Sequence, residues 1–422
     1  MADKRRYIAI AKAMAIKSKE LSSDPDQQSL LAQQAYNFNK AYGDYDYDND
    51  IYNGLFYALR TQNHTLTKSL EGHKKGGARA LETRSDGNHI FSGGSDGKII
   101  QWSYINGQWR ALEIVADRVS DNNPNNDYLV FSLDISPDES LLVAGGSYPK
   151  NPDQNYAELY NLNKPDQAPK KIFGFKSDID DIHFTPDGKG FYARDNSGKS
   201  IRYSDLSTAK EIISPRERIT SLDLSADGSK LAGAGINGVL YIWDIKNNFT
   251  ESAIKVSNAS LTSICFTPDK KIVIGNTNGQ VFFVDNGILS RPLTGHTSNI
   301  EHIKFNNAGT FMATASKDFT VRLWNYKDLT KQPIVLSDHD WVWNVAFTPD
   351  DEQLIAGIQS VKETRVGQVD QTIHAWPTRI QTMSGILCGF LPRNLSKDEW
   401  ETYVDKDLPY VLTCESLPSN NK

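Results

Sequence analysis

The chain has 422 residues, 39% of them hydrophobic, and a formal net charge of -6. That composition supplies a core and no basic field to hold phosphates, so nucleic acid is not expected as a partner. No run approaches the roughly 18 apolar residues of a membrane span, so insertion of this chain into a membrane is not expected either.

The N-terminus, Lys4-Arg5-Arg6 ahead of Tyr7 to Ala11, has the outline of a secretory signal. Lys12 interrupts its apolar run, and Lys17 and Lys19 stand where a cleavage site belongs. Ala9, Ile10, Ala13, Met14 and Ile16 share one face at helical spacing, so an amphipathic helix is expected instead. A second helix from about Asp26 to Tyr42 buries Leu30, Leu31, Ala35 and Phe38 and ends at Gly43. A third covers about Asp50 to Leu59. Residues 1–62 therefore read as a helical leader. Asp44, Asp46, Asp48 and Asp50 alternate as in a calcium loop, but Leu55 stands at the twelfth position and Asn49 at the glycine position. A solvated acidic turn is expected.

From residue 63 to 378 the pattern changes to short runs rich in Val, Ile, Phe and Tyr, broken by Asp-Gly, Asn-Gly and Ser-Gly turns. One phrase recurs: Leu133 to Asp138, Phe184 to Asp187, Leu224 to Asp227, Phe266 to Asp269 and Phe347 to Asp350. A period of roughly 40 residues marks a repeat architecture whose units cannot bury their own faces. A constant spacing from turn to aromatic joins Asp96 to Trp102, Asn237 to Trp243, Asp318 to Trp324 and Asp370 to Trp376, and holds in the diverged Asn278 to Val284 and Ser197 to Tyr203. The units begin near Ala80, Tyr128, Ile179, Ile219, Leu261, Ile300 and Val342.

These residues resemble WD-repeat proteins over nearly three quarters of the chain. The family's dipeptide is visible at Trp243-Asp244 and, altered, at Trp324-Asn325; its Gly-His pair is at Gly72-His73 and Gly295-His296, with Asp338-His339 in the last unit. The resemblance implies a mainly β fold, a seven-bladed WD40 β-propeller, with Thr65 to Leu70 completing the sheet begun at Trp341. It also implies buried hydrogen-bonded sets: His73, Ser92, Asp96 and Trp102, and His296, Thr314, Asp318 and Trp324. An indole N–H and an imidazole buried between sheets need such partners.

Several motifs invite chemistry that their context refuses. Gly233 to Gly238 has the letters of a dinucleotide fingerprint but joins two strands, and Gly198-Lys199-Ser200 lies in a hairpin. The eight histidines show no metal spacing, and no acids are seen to converge on a central opening. No cofactor, no metal and no enzymatic activity are expected. Cys265 reads as a small buried hydrophobe.

Residues 379–422 fall outside the period. Ser396 with Glu399 forms a capping-box pattern that predicts a short helix over about Lys397 to Val404. Cys388 and Cys414 would pair in an oxidising compartment; a reduced pair in a cytoplasmic protein is the reading adopted, with a periplasmic or envelope location as the alternative. Together the leader and this extension resemble segments flanking the propeller in bacterial signalling NTPases of the STAND type. The runs that carry this are Ser23 to Ala35, Asp50 to Arg60, Leu387 to Leu395, Glu399 to Val404 and Pro409 to Cys414. That resemblance implies a sensor region that works with an upstream effector domain.

Insertions mark where the repeat is not dictated by the fold: 117–127, 147–155 and 358–369. Blades seven, one and two are neighbours in a ring, so these loops should share a rim with the exposed aromatic Trp341. The expected function is binding of a protein or peptide by Trp341, Tyr128, Tyr148, Tyr156 and Arg365. An exported or envelope-associated scaffold is the alternative.

Overall fold

The computed structural model describes residues 2–43, 45, 47–62, 70, 72–73, 77–105, 108–116, 128–147, 155–359 and 372–418. The chain divides into two compact units, one of Ser69–Lys327 with Leu336–His374, the other of Met1–Lys68, Asp328–Val335 and Ala375–Lys422.

The first unit is a seven-bladed β-propeller. Seven antiparallel sheets follow one another in the chain, six of four strands and the last of three. Their inner strands are Ala78–Thr83, Leu129–Ile135, Ile179–Phe184, Ile219–Leu224, Leu261–Phe266, Ile300–Phe305 and Val342–Phe347 for blades one to seven. Each lies beside the next, and the seventh lies beside the first. Most of the expected closing strand falls outside the described residues; at its described end the Leu70 N–H donates to the Ile373 carbonyl at 2.9 Å, in blade seven.

The recurring phrase has a physical reason. The Thr185 hydroxyl donates to Asp187 at 2.6 Å and accepts from the Gly190 N–H at 3.2 Å, so one hydroxyl clasps both arms of the turn. Ser136, Ser225, Thr267 and Thr348 repeat both bonds. The residue after each Asp is left-handed: Glu139, Gly188, Gly228, Lys270 and Asp351 have φ of 56°, 67°, 65°, 67° and 57°. Apolar residues on either side of the inner strands then fill the spaces between blades, as Ile219, Leu222, Leu231 and Trp243 do against Tyr192 and Ile201.

In blade one the Ser92 hydroxyl accepts from the Trp102 indole at 2.7 Å and donates to His73 Nε2 at 2.6 Å, while His73 Nδ1 donates to Asp96 at 2.9 Å. Blade six repeats the set with Thr314, Trp324, His296 and Asp318 at 3.0, 2.7 and 2.9 Å. Burial holds the His296 pKa below its ordinary value, which keeps the ring neutral and able to accept from Thr314. Blade four solves the same problem differently: the Trp243 indole donates to Glu251 at 3.0 Å.

The second unit joins the leader to the tail. Helix α1 (Ala2–Glu20) is followed by α2 (Pro25–Tyr42), which is capped by the Asp24 carboxylate on the Gln27 N–H, with Pro25 at the first turn, and then by α3 (Asn49–Gln62). Tail helix α4 (Ile380–Phe390) buries Ile380, Met383, Ser384 and Leu387, an i, i+3, i+4, i+7 face. The predicted helix at Ser396 is α5 (Lys397–Trp400), with its capping box formed, running into a π-helical turn at Glu401–Asp405. Gln33 of α2 donates to Ser384 at 2.8 Å, Asn37 donates to the Thr413 carbonyl at 2.7 Å, and Phe38 meets the Trp400 ring edge-on. Leader and tail thus share one core rather than forming separate segments. Cys388 and Cys414 are joined by a disulfide across α-carbons 5.9 Å apart, where the sequence reading adopted free thiols. No helix among the described residues is long and apolar enough to cross a membrane.

Thr314 is fully buried, and its oxygen serves two ring nitrogens. Thr314→Val keeps the shape and orphans both, so it should lower the free energy of unfolding by about 2–4 kcal/mol in chemical denaturation. A loss no larger than that of the exposed Thr330→Val would show that the set contributes nothing.

Candidate functional site

The inner strand is the free edge of every blade, and all seven carry a bulge at one register. The extra residue is Arg79, Phe131, Asp180, Thr220, Thr262, Glu301 or Trp343 in blades one to seven. A bulge re-aims its side chain. All seven bulged residues line a single cavity of about 380 Å³ in the centre of the ring.

Deeper in that cavity lie Glu82, Asp134, His183, Asp223, Cys265 and Lys304, one from each of the first six blades, with Ala346 at the same register in the seventh. Acids therefore do converge on the centre, contrary to expectation. The signal was in the repeat, because each is four residues before the position of the phrase's Asp.

Asp134, Asp223 and His183 are occupied by the ring itself. Asp134 accepts from the Phe184 N–H at 2.5 Å and Asp223 from the Phe266 N–H at 2.6 Å, each on the next blade's inner strand. Ser132, Asp181 and His302 likewise accept from Ile182, Leu222 and Val345 at 3.0, 2.7 and 3.4 Å. Thr220 and Thr262 donate to the Leu261 and Ile300 carbonyls, both at 2.6 Å. Burial pushes the Asp134 and Asp223 carboxyls up. Burial also works against a charge on His183, but Asp181 at 2.9 Å, with Asp223 and Asp134, overcomes it and lifts the imidazole to about 10. Cys265 is only partly buried by its neighbours and donates to the Phe266 carbonyl at 3.3 Å; burial raises its thiol pKa, so it is no thiolate nucleophile.

The mouth of the cavity is different. The Arg79 guanidinium lies over the rings of Trp343 and Phe131, at 4.6 and 5.0 Å from their centroids. Lys317 Nζ lies 5.1 Å from the Trp341 centroid and 4.9 Å from that of Trp343, and 3.1 Å from Glu301. Trp341 meets Trp343 edge-on at 5.8 Å and is 36% exposed. Arg79 Nε, Trp343 Nε1 and Asn344 Oδ1 are buried there without a hydrogen-bond partner.

Of the residues expected to form the rim, Trp341 is at this mouth. Tyr128 and Tyr156 are not on a surface: they are 1% and 8% exposed and belong to the core of blades one and two, because their rings face between sheets. Tyr148 and Arg365, with most of the three insertions, lie outside the described residues. Asp370 does too. Sequence reasoning missed Arg79, Phe131 and Trp343; aligning the repeats three residues before the channel position would have found them. In blade seven, His339 is not in a buried set: it is 56% exposed and pairs with Asp338 at 2.7 Å.

Residues 64–103, 209–244, 287–325 and 330–376 match the family described as WD domain, G-beta repeat. Four segments of the chain thus match the WD40 repeat. The WD40 β-propeller domain of Doa1, in its crystal structure, superposes with a TM-score of 0.60 at 16% identity, covering 75% of this chain and 97% of that one, which supports the fold. The target of rapamycin complex subunit LST8 of Mus musculus is 24% identical over 259 residues, 56% of this chain and 76% of its own. The serine-threonine kinase receptor-associated protein of Mus musculus is 25% identical over 207 residues, 47% of this chain and 55% of its own.

The lifted His183 pKa fixes a pH dependence. A histidine charged in the folded state contributes stability that is complete below its ordinary value of 6.5 and is lost as pH rises through about 10. His183→Gln should therefore flatten the fall in urea midpoint between pH 6.5 and 10 relative to the wild-type WD40 propeller. Parallel curves for the two proteins over that range would refute the assignment.

Proposed function

We propose that this chain is a non-enzymatic protein-binding scaffold whose propeller holds a partner's peptide segment at the channel mouth. The observation that carries this is Arg79. It makes no ion pair with any described residue, lies against two aromatic faces, and sits beside an indole N–H and an amide oxygen that are buried unpaired. A buried unsatisfied group costs about 1–3 kcal/mol, which a ligand recovers by pairing with it. A peptide supplies carbonyls for the indole, N–H groups for Asn344 and, at an acidic residue, a carboxylate for Arg79. Trp and Arg at a partly desolvated centre are the residue types on which binding energy concentrates.

Asp134, Asp181 and Asp223 support a non-enzymatic reading, because they are committed to backbone N–H groups of the ring. The names of the mouse relatives, a complex subunit and a receptor-associated protein, describe attachment to other proteins. The leader and tail support a narrower reading as the cytoplasmic sensor part of a bacterial signalling protein, to which an upstream effector domain would belong. Neither nucleic acid nor insertion in a membrane is part of the proposal.

Selection of an unbiased peptide library on the wild-type chain should yield ligands whose affinity, by fluorescence polarisation, falls at least about thirtyfold with Trp341→Ala or Arg79→Met, or about 2 kcal/mol. Ligands that bind both variants as well as wild type would overturn the site.

The Cys388–Cys414 disulfide supports a second reading, an exported or envelope-associated scaffold. Thiol titration of denatured protein from its native host decides between the two: one reactive thiol, Cys265, is expected for the exported scaffold and three for a cytoplasmic sensor.

A further inference from the structure

Blade seven breaks the buried set of blades one and six at three places. Asp338 stands where Gly72 and Gly295 precede the histidine. Ala356 stands at the register of Ser92 and Thr314, so no hydroxyl is present to receive His339. His374, two residues before Trp376, takes the place of Ile100 and Arg322. His73 and His296 have fully buried side chains, whereas the His339 side chain is 56% exposed and has turned to Asp338.

The result is a new constellation. The Asp338 side chain is buried, its N–H is anchored on the Phe319 carbonyl at 2.8 Å, and Oδ1 also accepts the His339 N–H at 2.7 Å. Its two oxygens face separate imidazoles, His339 Nδ1 at 2.7 Å and His374 Nδ1 at 2.6 Å. The three ligand atoms all lie within 4.8 Å of one another. We propose that Asp338, His339 and His374 form a binding site for a divalent transition-metal ion, with zinc(II) the best match.

Two imidazole nitrogens and one carboxylate are the donor set zinc takes at sites that keep an open coordination position. The same donors disfavour magnesium and calcium, which prefer oxygen alone, and the missing thiolate disfavours copper(I). At metal bond lengths of about 2.1 Å, ligand atoms in a tetrahedron stand about 3.4 Å apart, so each nitrogen must retreat from the carboxylate by about 0.7–0.8 Å. His339 is exposed enough to do so by rotation. The buried carboxylate stays in place.

The test uses the full chain, stripped of metal with chelator and held at pH above 7. Cobalt(II) is followed by visible absorption and zinc(II) by titration calorimetry. The wild type should bind one equivalent saturably, with the cobalt band of a tetrahedral nitrogen and oxygen site. His339→Ala, at an exposed position that leaves the fold intact, and Asp338→Asn should each weaken binding at least tenfold, on the order of what altered ligation costs. His89→Ala removes a comparable surface His-Asp pair, His89 with Asp86 at 2.6 Å, and should leave affinity unchanged. No saturable binding at about 100 µM metal, a weak range for structural zinc, would overturn the proposal. So would equal affinity of wild type and His339→Ala.

Discussion

Seven inner strands meet around this ring with no partner strand for their channel-facing backbone groups, and the rest of the propeller answers that one constraint. An open strand edge buried away from bulk water is costly and prone to pairing with other chains. Here blades two to six lend side chains to the next blade. Asp134, Asp181, Asp223, Ser132 and His302 accept from the next strand's N–H groups, and Thr220 and Thr262 donate to its carbonyls. The polar channel is thus a substitute for a β-ladder. Asp134, Asp181 and Asp223, acids of the channel, are part of the joinery of the ring.

That constraint bears on the proposed site at the mouth. At the bulge each inner strand turns one further side chain toward the cavity. In blades four and five the bulged position still serves the next strand, through Thr220 and Thr262. Three of its seven occupants, Arg79, Phe131 and Trp343, come from adjacent blades around the closure of the ring. An unpaired guanidinium in such a place is expensive unless something compensates it. Two aromatic faces compensate in part and leave its hydrogen-bonding capacity unspent.

What could be read from the sequence was whatever local chemistry repeats. The phrase with Ser or Thr two residues before Asp was legible because the hydroxyl clasp is a five-residue event, and the sets at His73 and His296 because three spacings recur together. The leader helices and the Ser396 cap were legible for the same reason. Helix α4 was not, since Gly385 and Gly389 lower its intrinsic propensity and only packing of Ile380, Met383 and Leu387 makes it a helix. The channel was missed because its residues are brought together from seven repeats, and at that register no one residue type holds: Glu82, Asp134, His183, Asp223, Cys265, Lys304 and Ala346 share a place, with Asp alone recurring. Tyr128 and Tyr156 show the reverse error. An aromatic beside an insertion looks like a rim residue, but a ring at the start of a strand is worth more buried between two sheets.

The mouth also sits at the closure of the ring, which links binding to the fold. Arg79 belongs to blade one and Trp343 to blade seven, the two blades whose meeting closes the circle, and the Leu70 bond to Ile373 ties the chain ahead of blade one into blade seven. Blade seven lacks the hydroxyl that receives the histidine in blades one and six. A ligand that touches Arg79 and Trp343 together bridges this junction and binds only the closed ring. It therefore stabilises closure by the full mass-action term, growing with the logarithm of ligand concentration over its dissociation constant. A metal ion drawing His339 and His374 onto Asp338 would tie the same strand to the loop that enters the blade, from a different side. Recognition and ring closure are then two readings of one junction, and the blade that departs most from the repeat is the one where both are decided.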